Sequence, residues 1–391
     1  MPSINGTGCC LLDYICQTDI SEPELSALTS QETGDGGIVP EGLVLMEELS
    51  AFSGKTEEEI RSLIIRKASS VTSNLGGVGI VPLIHVRQML AEESDKIGFC
   101  QFYGMDKTGE TLVKYLEYYN IDTTCFRKKE GYSPETLVLS KGEKRSFISR
   151  LGVAAKIKAE DIDKSFYKAD VLVYGATALS PLLHADLDSL LKKSRDNGAI
   201  NFVLTVHDFF SEKWSPGRPW NMGKSTKTYS LIDILIGNRE EAMGLTGEKN
   251  FDKSVERLKD WGVKNMIFTS GAEPVYYYVN PPLFKNKEEG YFPVPQLSSI
   301  ITELNLENTD GDSTGCGDNF AGGIIYSIYK ETKESGNKNG FDIHNALLHG
   351  AASGILSCTY KGGVYKENMV GEKKSLIEKI IRLIKEKQKT P

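Results

Sequence analysis

"DSTGCGDNFAGG", residues 312–323, places four glycines and two aspartates in twelve positions and runs straight into the apolar "IIYSIYK". Glycine at this density carries a backbone-entropy cost inside a helix. Yet Phe320, Ile324, Ile325 and Ile328 recur at helical spacing, so the stretch predicts the start of an apolar, central helix. The unpaired N–H groups and positive dipole end of such a start make an anion site. Gly315 and Gly317, on either side of Cys316, let the backbone approach an oxyanion, and Gly322 and Gly323 predict that something packs tightly against the helix. Asp318 is the puzzle, because a carboxylate repels a phosphate. Its bland reading is a favourable first-turn aspartate. Beside an anion pocket it reads better as the base that takes a proton from an attacking hydroxyl, which is what phosphoryl transfer needs.

Outward from this stretch, short β-rich runs alternate with amphipathic helical sequence. "IGFCQFYG" (97–104), "DVLVYGA" (170–176), "INFVLTV" (200–206), "IDILIGN" (232–238) and "VKNMIFTSG" (263–271) read as strands apolar on both faces. With helix formers such as "FDKSVERLKDWG" between them, they predict a mostly parallel sheet covered on both sides. Two segments break the rhythm. Residues 20–50 are polar and rich in Gly, Pro, Ser and Glu, and 132–150 reads as two short strands around "KGEK". Inserted β-structure beside an α/β sheet predicts a lid. Residues 280–310, with four prolines, read as loops with edge strands, and "SLIEKIIRLIKEK" near the end as an amphipathic helix packed on the core.

The 391 residues can form one large α/β domain or two smaller ones. A net charge of −7 argues against broad binding to nucleic acid or an anionic membrane, so an anionic ligand must be met by local devices. Seven cysteines without a C-x-x-C suit reduced thiols in a cytoplasmic protein, and the five histidines form no ligand spacing. No basic n-region precedes an apolar run, and no 18-residue apolar run occurs, so neither a signal peptide nor a membrane span is expected.

Other glycine-rich places compete poorly for phosphate. "GRPWNMGKS" (217–225) puts five residues between its glycines where a Walker A loop has four, and contains Pro219 and Trp220. "GGVG" (76–79) lacks the third glycine and the leading strand of a dinucleotide fingerprint, which discriminates against an NAD oxidoreductase. Gly76 and Gly77 form either a plain tight turn or a backbone that approaches a ligand.

"DSTGCGDNFAGG" resembles the C-terminal motif of the ribokinase-like (PfkB) carbohydrate kinases, D-T-x-G-A-G-D-x-F-x-G-G, and further landmarks follow in the family's order. "GTGCCLLDYI" looks like the first strand, ending in the acceptor-binding Asp13. "LGGVG" resembles the substrate-contacting glycine pair, Gly76 and Gly77. "DILIGNREEAMGLTG" carries N-x-x-E at Asn238 and Glu241, and "FTSGAEPVYYY" resembles the nucleotide-side loop. The resemblance implies a single ribokinase-like kinase domain over 1–391, a Rossmann-type three-layer α/β sandwich with a small β-lid from segments about 14–50 and 121–153. It implies Asp318 as base, Gly315, Cys316 and Gly317 as anion hole, Asn238 and Glu241 organising Mg²⁺ and phosphates through water, and Ser270 and Gly271 lining ATP. Asp312 and Thr314 match positions that in some members help bind a monovalent cation, K⁺. Val81 stands where ribokinases and adenosine kinases have an asparagine, and Ala351 where ribokinases often have one, departures that weaken an assignment to ribose and leave the sugar pocket unread.

The function expected is therefore an ATP-dependent sugar kinase acting on a hydroxyl of a small carbohydrate. An adenosine-type nucleoside kinase is the alternative within the family, and a non-catalytic binding protein on a kinase fold the alternative outside it. Lys141, Lys144, Arg145 and Arg150 could meet a phosphate on the acceptor, although a solvated hairpin tip is the preferred reading of the first three. The lid strands have too few residues for a core of their own. Their apolar side chains need the substrate, the main domain or a second subunit, which predicts a homodimer through the lid.

Overall fold

The computed structural model describes residues 3–389 except 20, 33, 142–143, 305–310 and 312. Its strands are β1 (Ser3–Gly8), β2 (Leu11–Gln17), β3 (Leu43–Leu45), β4 (Ser70–Gly76), β5 (Lys96–Tyr103), β6 (Phe126–Lys128), β7 (Glu135–Lys141), β8 (Lys144–Arg150), β9 (Val171–Gly175), β10 (Ile200–Leu204), β11 (Ile234–Asn238), β12 (Met266–Thr269), β13 (Val275–Val279) and β14 (Glu288–Phe292). Nine form one sheet in the order β14-β13-β12-β11-β10-β9-β1-β5-β6. From β12 to β6 every pairing is parallel, and β13 and β14 close the edge antiparallel.

Helices that position the site are α1 (Met46–Ser53), α2 (Glu57–Lys67), α3 (Val81–Leu90), α4 (Lys107–Tyr118), α5 (Arg239–Thr246), α6 (Cys316–Ser335), α7 (Ile343–Ser357) and α8 (Glu372–Lys389). The strand alternation decides the layers. Val171 and Val173 face a core shared with Ile84, Ile324, Leu347 and Ile377, whereas Leu172 and Tyr174 face Leu187, Leu190, Leu245 and Leu258 on the other side. The doubly covered parallel sheet expected from the apolar runs is thus present, and the amphipathic terminal segment is α8. Pro-rich 280–310 also contains a short helix, Leu297–Glu303, that composition concealed.

Helix α6 begins at Cys316 and is buried along most of its length. Its two interior glycines let neighbours in: a β-carbon at Gly322 would stand 2.8 Å from His85 Cβ on α3, and one at Gly323 2.5 Å from His349 O on α7.

The other five strands form a second sheet, β3-β8-β7-β2-β4. Its limits differ from the expected 14–50 and 121–153. The sheet takes in Leu11–Gln17 and Ser70–Gly76, while Phe126–Lys128 pairs with β5 in the large sheet. It also has a core of its own, contrary to expectation. Cys16, Leu137, Leu139 and Ile148 pack under Leu25, Leu28, Ile38, Met46, Leu49, Ile60 and Ile64. The polar look of residues 20–50 hid the apolar positions that cover this face, and α2 completes the cover behind a Thr56–Glu59 capping box. The apolar lid face offered as a reason for a homodimer is covered by the chain itself.

Candidate active site

The site is built where parallel strands of the large sheet end and α6 begins, the crevice that open α/β sheets offer to ligands. Gly315 is the N-cap of α6 at φ 76°, a left-handed conformation that glycine adopts without strain, and a β-carbon there would stand 2.5 Å from Gly363 Cα. Asn319 fixes this turn from behind. Its Nδ2 donates to Gly315 O (2.9 Å) and Gly363 O (2.8 Å), and its Oδ1 accepts from Lys373 Nζ (2.8 Å) and lies 3.1 Å from His85 Nδ1. Lys373 is fully buried and also reaches Gln88 Oε1 at 3.0 Å; burial pushes its pKa down to about 7. Sequence reading missed Lys373, because nothing in a lysine-rich amphipathic helix marks which lysine turns inward.

Asp318 lies in the first turn of α6. Burial, and then the negative charge of Glu241, push its pKa up to about 7, a value suited to a base at neutral pH. Glu241 comes from α5. Asn238 caps that helix, accepting from Glu241 N at 2.8 Å, while Glu241 Oε2 accepts from Asn238 N at 3.0 Å and Thr205 Oγ1 at 2.5 Å. The N-x-x-E pattern is thus a capping box as well as a place where a buried carboxylate faces Asp318. Burial raises the Glu241 pKa too. Ser270 and Gly271 follow β12, whose Thr269 is in register with Asn238, so they share this edge of the sheet.

Asp13 does not end the first strand. The glycines at 6 and 8 belong to β1, and Asp13 is the third residue of β2, in the lid. A β-carbon at Gly76 would stand 2.1 Å from Asp13 Oδ2, and one at Gly77 2.5 Å from Cys9 O. The glycine pair therefore makes room for Asp13 and for the β1–β2 connection. Cys9, in that connection, has its thiol pKa raised first by burial and then by the negative charges of Asp13 and Asp318. In register with Asp13 are Asn74 on β4 and Thr136 on β7, and Thr136 pairs with Ser149 on β8. This row of polar residues crosses the lid sheet, and only Asp13 of the four was expected from sequence.

A model of the pfkB family of carbohydrate kinases matches residues 47–368. The chain belongs to that family. Among its relatives, the 5-dehydro-2-deoxygluconokinase of Clostridium perfringens is 28% identical over 284 residues, 68% of this chain and 74% of that protein. Probable fructokinase-5 of Arabidopsis thaliana is 24% identical over 285 residues, 69% of this chain and 78% of that protein. Among solved structures, adenosine kinase from Schistosoma mansoni in complex with 2-fluoroadenosine superposes with a TM-score of 0.69 at 16% identity, covering 93% of this chain and 97% of that one. At that identity the likeness concerns the ribokinase-like fold alone. The pfkB chain is a sugar kinase, a phosphotransferase with a hydroxyl acceptor; the nucleoside alternative explains the relatives no better.

The basic residues of this pfkB kinase's lid divide sharply. Lys141 pairs with Asp19 at the hairpin. Arg150 is buried against Glu57 (2.9 Å), Glu58 (3.4 Å) and Glu135 (3.2 Å), so it serves the lid's own structure. Arg145 crosses to the α6 loop instead, where its Nη1 donates to Thr314 Oγ1 at 2.5 Å. The solvated-tip reading of Arg145 is wrong, since a β-hairpin's destination across space leaves no mark in its sequence. The side chain of Lys144, and Asp312, lie outside the described residues. Among the described residues no group of three His, Cys, Asp or Glu could hold a metal ion, and no helix is long and apolar enough to cross a membrane.

Proposed function

We propose that this pfkB kinase transfers the γ-phosphoryl group of ATP to a hydroxyl of a small carbohydrate held against Asp13 under the lid, with Asp318 as base. The observation that carries this reading is that the lid reaches the anion-binding turn: Arg145 of β8 donates to Thr314 Oγ1 at 2.5 Å, one residue before the Gly315 cap of α6.

The cofactor fits the residues present. Nothing lies within 4 Å of a β-carbon built on Gly317 or Gly271, so the backbone at both places is open to a ligand. Mg²⁺ would be held by phosphates and water, with Glu241 and Asn238 behind that water. ATP with Mg²⁺ supplies the phosphoryl group and screens its charge. The N–H groups at Gly315 and Gly317 would hold the transferred oxygens, as helix N-termini do, while that of Cys316 donates to Ser313 O at 3.3 Å. Arg145 brings a positive charge from the lid to the same loop, and Asp318 accepts the proton of the attacking hydroxyl. Thr314 remains a candidate for K⁺, and Asp312, the other one, lies outside the described residues.

For the acceptor, the polar row Asn74, Asp13, Thr136 and Ser149 suits several hydroxyls in a line, and the relatives name 5-dehydro-2-deoxygluconate and fructose as examples of such compounds. The test is ATP consumption with 5-dehydro-2-deoxygluconate, fructose, ribose and adenosine. A sugar should turn over, and Asp13→Ala should raise its KM while the affinity for ATP stays within about twofold. Turnover of adenosine alone would replace the sugar reading.

A further inference from the structure

Cys316 and Cys358 stand with their sulfurs 3.0 Å apart, although 42 positions separate them in sequence. Both are half-buried, whereas Cys9, Cys10, Cys16 and Cys100 are buried. Cys316 is the first residue of α6, inside the anion-binding turn, and Cys358 caps the C-terminus of α7. Cys358 also begins the segment that backs the turn: its own backbone lies against Gly311, and Gly363 further along lies against Gly315.

We propose that Cys316 and Cys358 form an oxidative modification site, a dithiol that a small-molecule disulfide converts to an intramolecular disulfide and that thereby shuts down phosphate handling at α6. In the first step one cysteine thiolate attacks a sulfur of the oxidant, forming a mixed disulfide and releasing one thiolate. The second protein thiolate then attacks the protein-side sulfur, closing the bond and releasing the other half of the oxidant. Two protein thiols give up two electrons and two protons, and the oxidant becomes two thiols. No further reactant is needed.

The consequence follows from position. Closing the pair from contact to bonding distance moves the sulfurs about 1 Å, and one of them belongs to the turn whose N–H groups face the phosphate. A displacement of that size at a reacting centre can cost about 10²-fold in rate. Asn319 holds the same turn to Gly363 by hydrogen bonds, so the shift is transmitted to the residues flanking Asp318. This consequence rests on the reading of α6 as the phosphate site; the chemistry of the pair does not.

The experiment incubates the full-length enzyme with glutathione disulfide and follows activity, Tm and a non-reducing tryptic map. Trypsin leaves each cysteine alone in its peptide, Glu288–Lys330 for Cys316 and Asn339–Lys361 for Cys358, so their cross-link is unambiguous. Expected are the linked pair, a raised Tm, a loss of activity of at least tenfold, and recovery with dithiothreitol. Cys358→Ser should retain its activity under the same treatment. Absence of the linked pair overturns the site, whatever the enzyme phosphorylates. A linked pair with unchanged activity, or equal inactivation of Cys358→Ser, overturns the shutdown while leaving the kinase reading intact.

Discussion

On the proposed reading, the single residue Asp318 sets both catalysis and stability. With its pKa raised to about 7, kcat/KM should rise with pH through roughly 7 and then level, because only the ionised carboxylate accepts a proton. Asp318→Asn should keep the first-turn contact but lose 10²–10⁴-fold in kcat, the usual worth of a general base; a loss under about tenfold would dismiss it as the base. The same shift predicts a gain in stability. A carboxyl whose folded pKa lies above its unfolded value stabilises the fold fully below pH about 4, and that contribution is lost as pH rises through about 7. Asparagine removes the dependence, so Asp318→Asn should unfold later than wild type at pH 8, on the order of 2 kcal/mol after solvent screening, and the difference should vanish near pH 4. Thermal melts across that range check it. At this scale the sequence was informative wherever chemistry is local: Asp318 and its glycines declare themselves by composition and spacing. Arg145 and Lys373 do not, because their partners, Thr314 and Asn319, are reached only through the fold.

Among the elements, the joint between lid and main sheet rests on Glu135, which is 1% exposed at the start of β7. It receives Arg61 from α2 at 3.1 Å, Arg150 from β8 at 3.2 Å and the Thr108 hydroxyl from α4 at 3.1 Å. Tyr14 on β2 adds a contact to Thr108 at 3.1 Å and lies under the Arg61 guanidinium. Removing the carboxylate strands positive charge in a dry place, which costs about 3–5 kcal/mol for a buried pair. Arg150 keeps Glu57 and Glu58, so Glu135→Ala should fall near the lower end, about 3 kcal/mol in urea unfolding, against about 1 kcal/mol for Thr108→Val. Equal small costs would mean that the joint is held by apolar packing instead. None of this was legible beforehand, because the β7–β8 hairpin declares itself by its turn but β2 and β4 do not. In β4, "SVTSNLG", the first four residues are exposed, so no alternation shows, and β2 pairs with β7 in parallel, a long-range partner that turn chemistry cannot indicate.

For the whole molecule the question is what moves. The large sheet was readable because its strands are buried on both faces and alternate with helices, a pattern with few other solutions. The lid's own core was not, and it changes the expected behaviour. A lid whose apolar face needed a partner would pair with a second copy, but here α1, α2 and the loop before them already cover that face, so light scattering should give a mass near 43.2 kDa. A sheet with its own core also moves as one body. Acceptor binding against Asp13 would draw in the strand that carries it, and the paired strands and covering helices would follow, excluding water from Asp318. Hydrogen exchange with and without the acceptor should show β2, β7, β8, α1 and α2 gaining protection together, with β11 protected throughout. Protection confined to Asp13 and its immediate neighbours would mean that the lid is fixed and that the acceptor enters a preformed cleft.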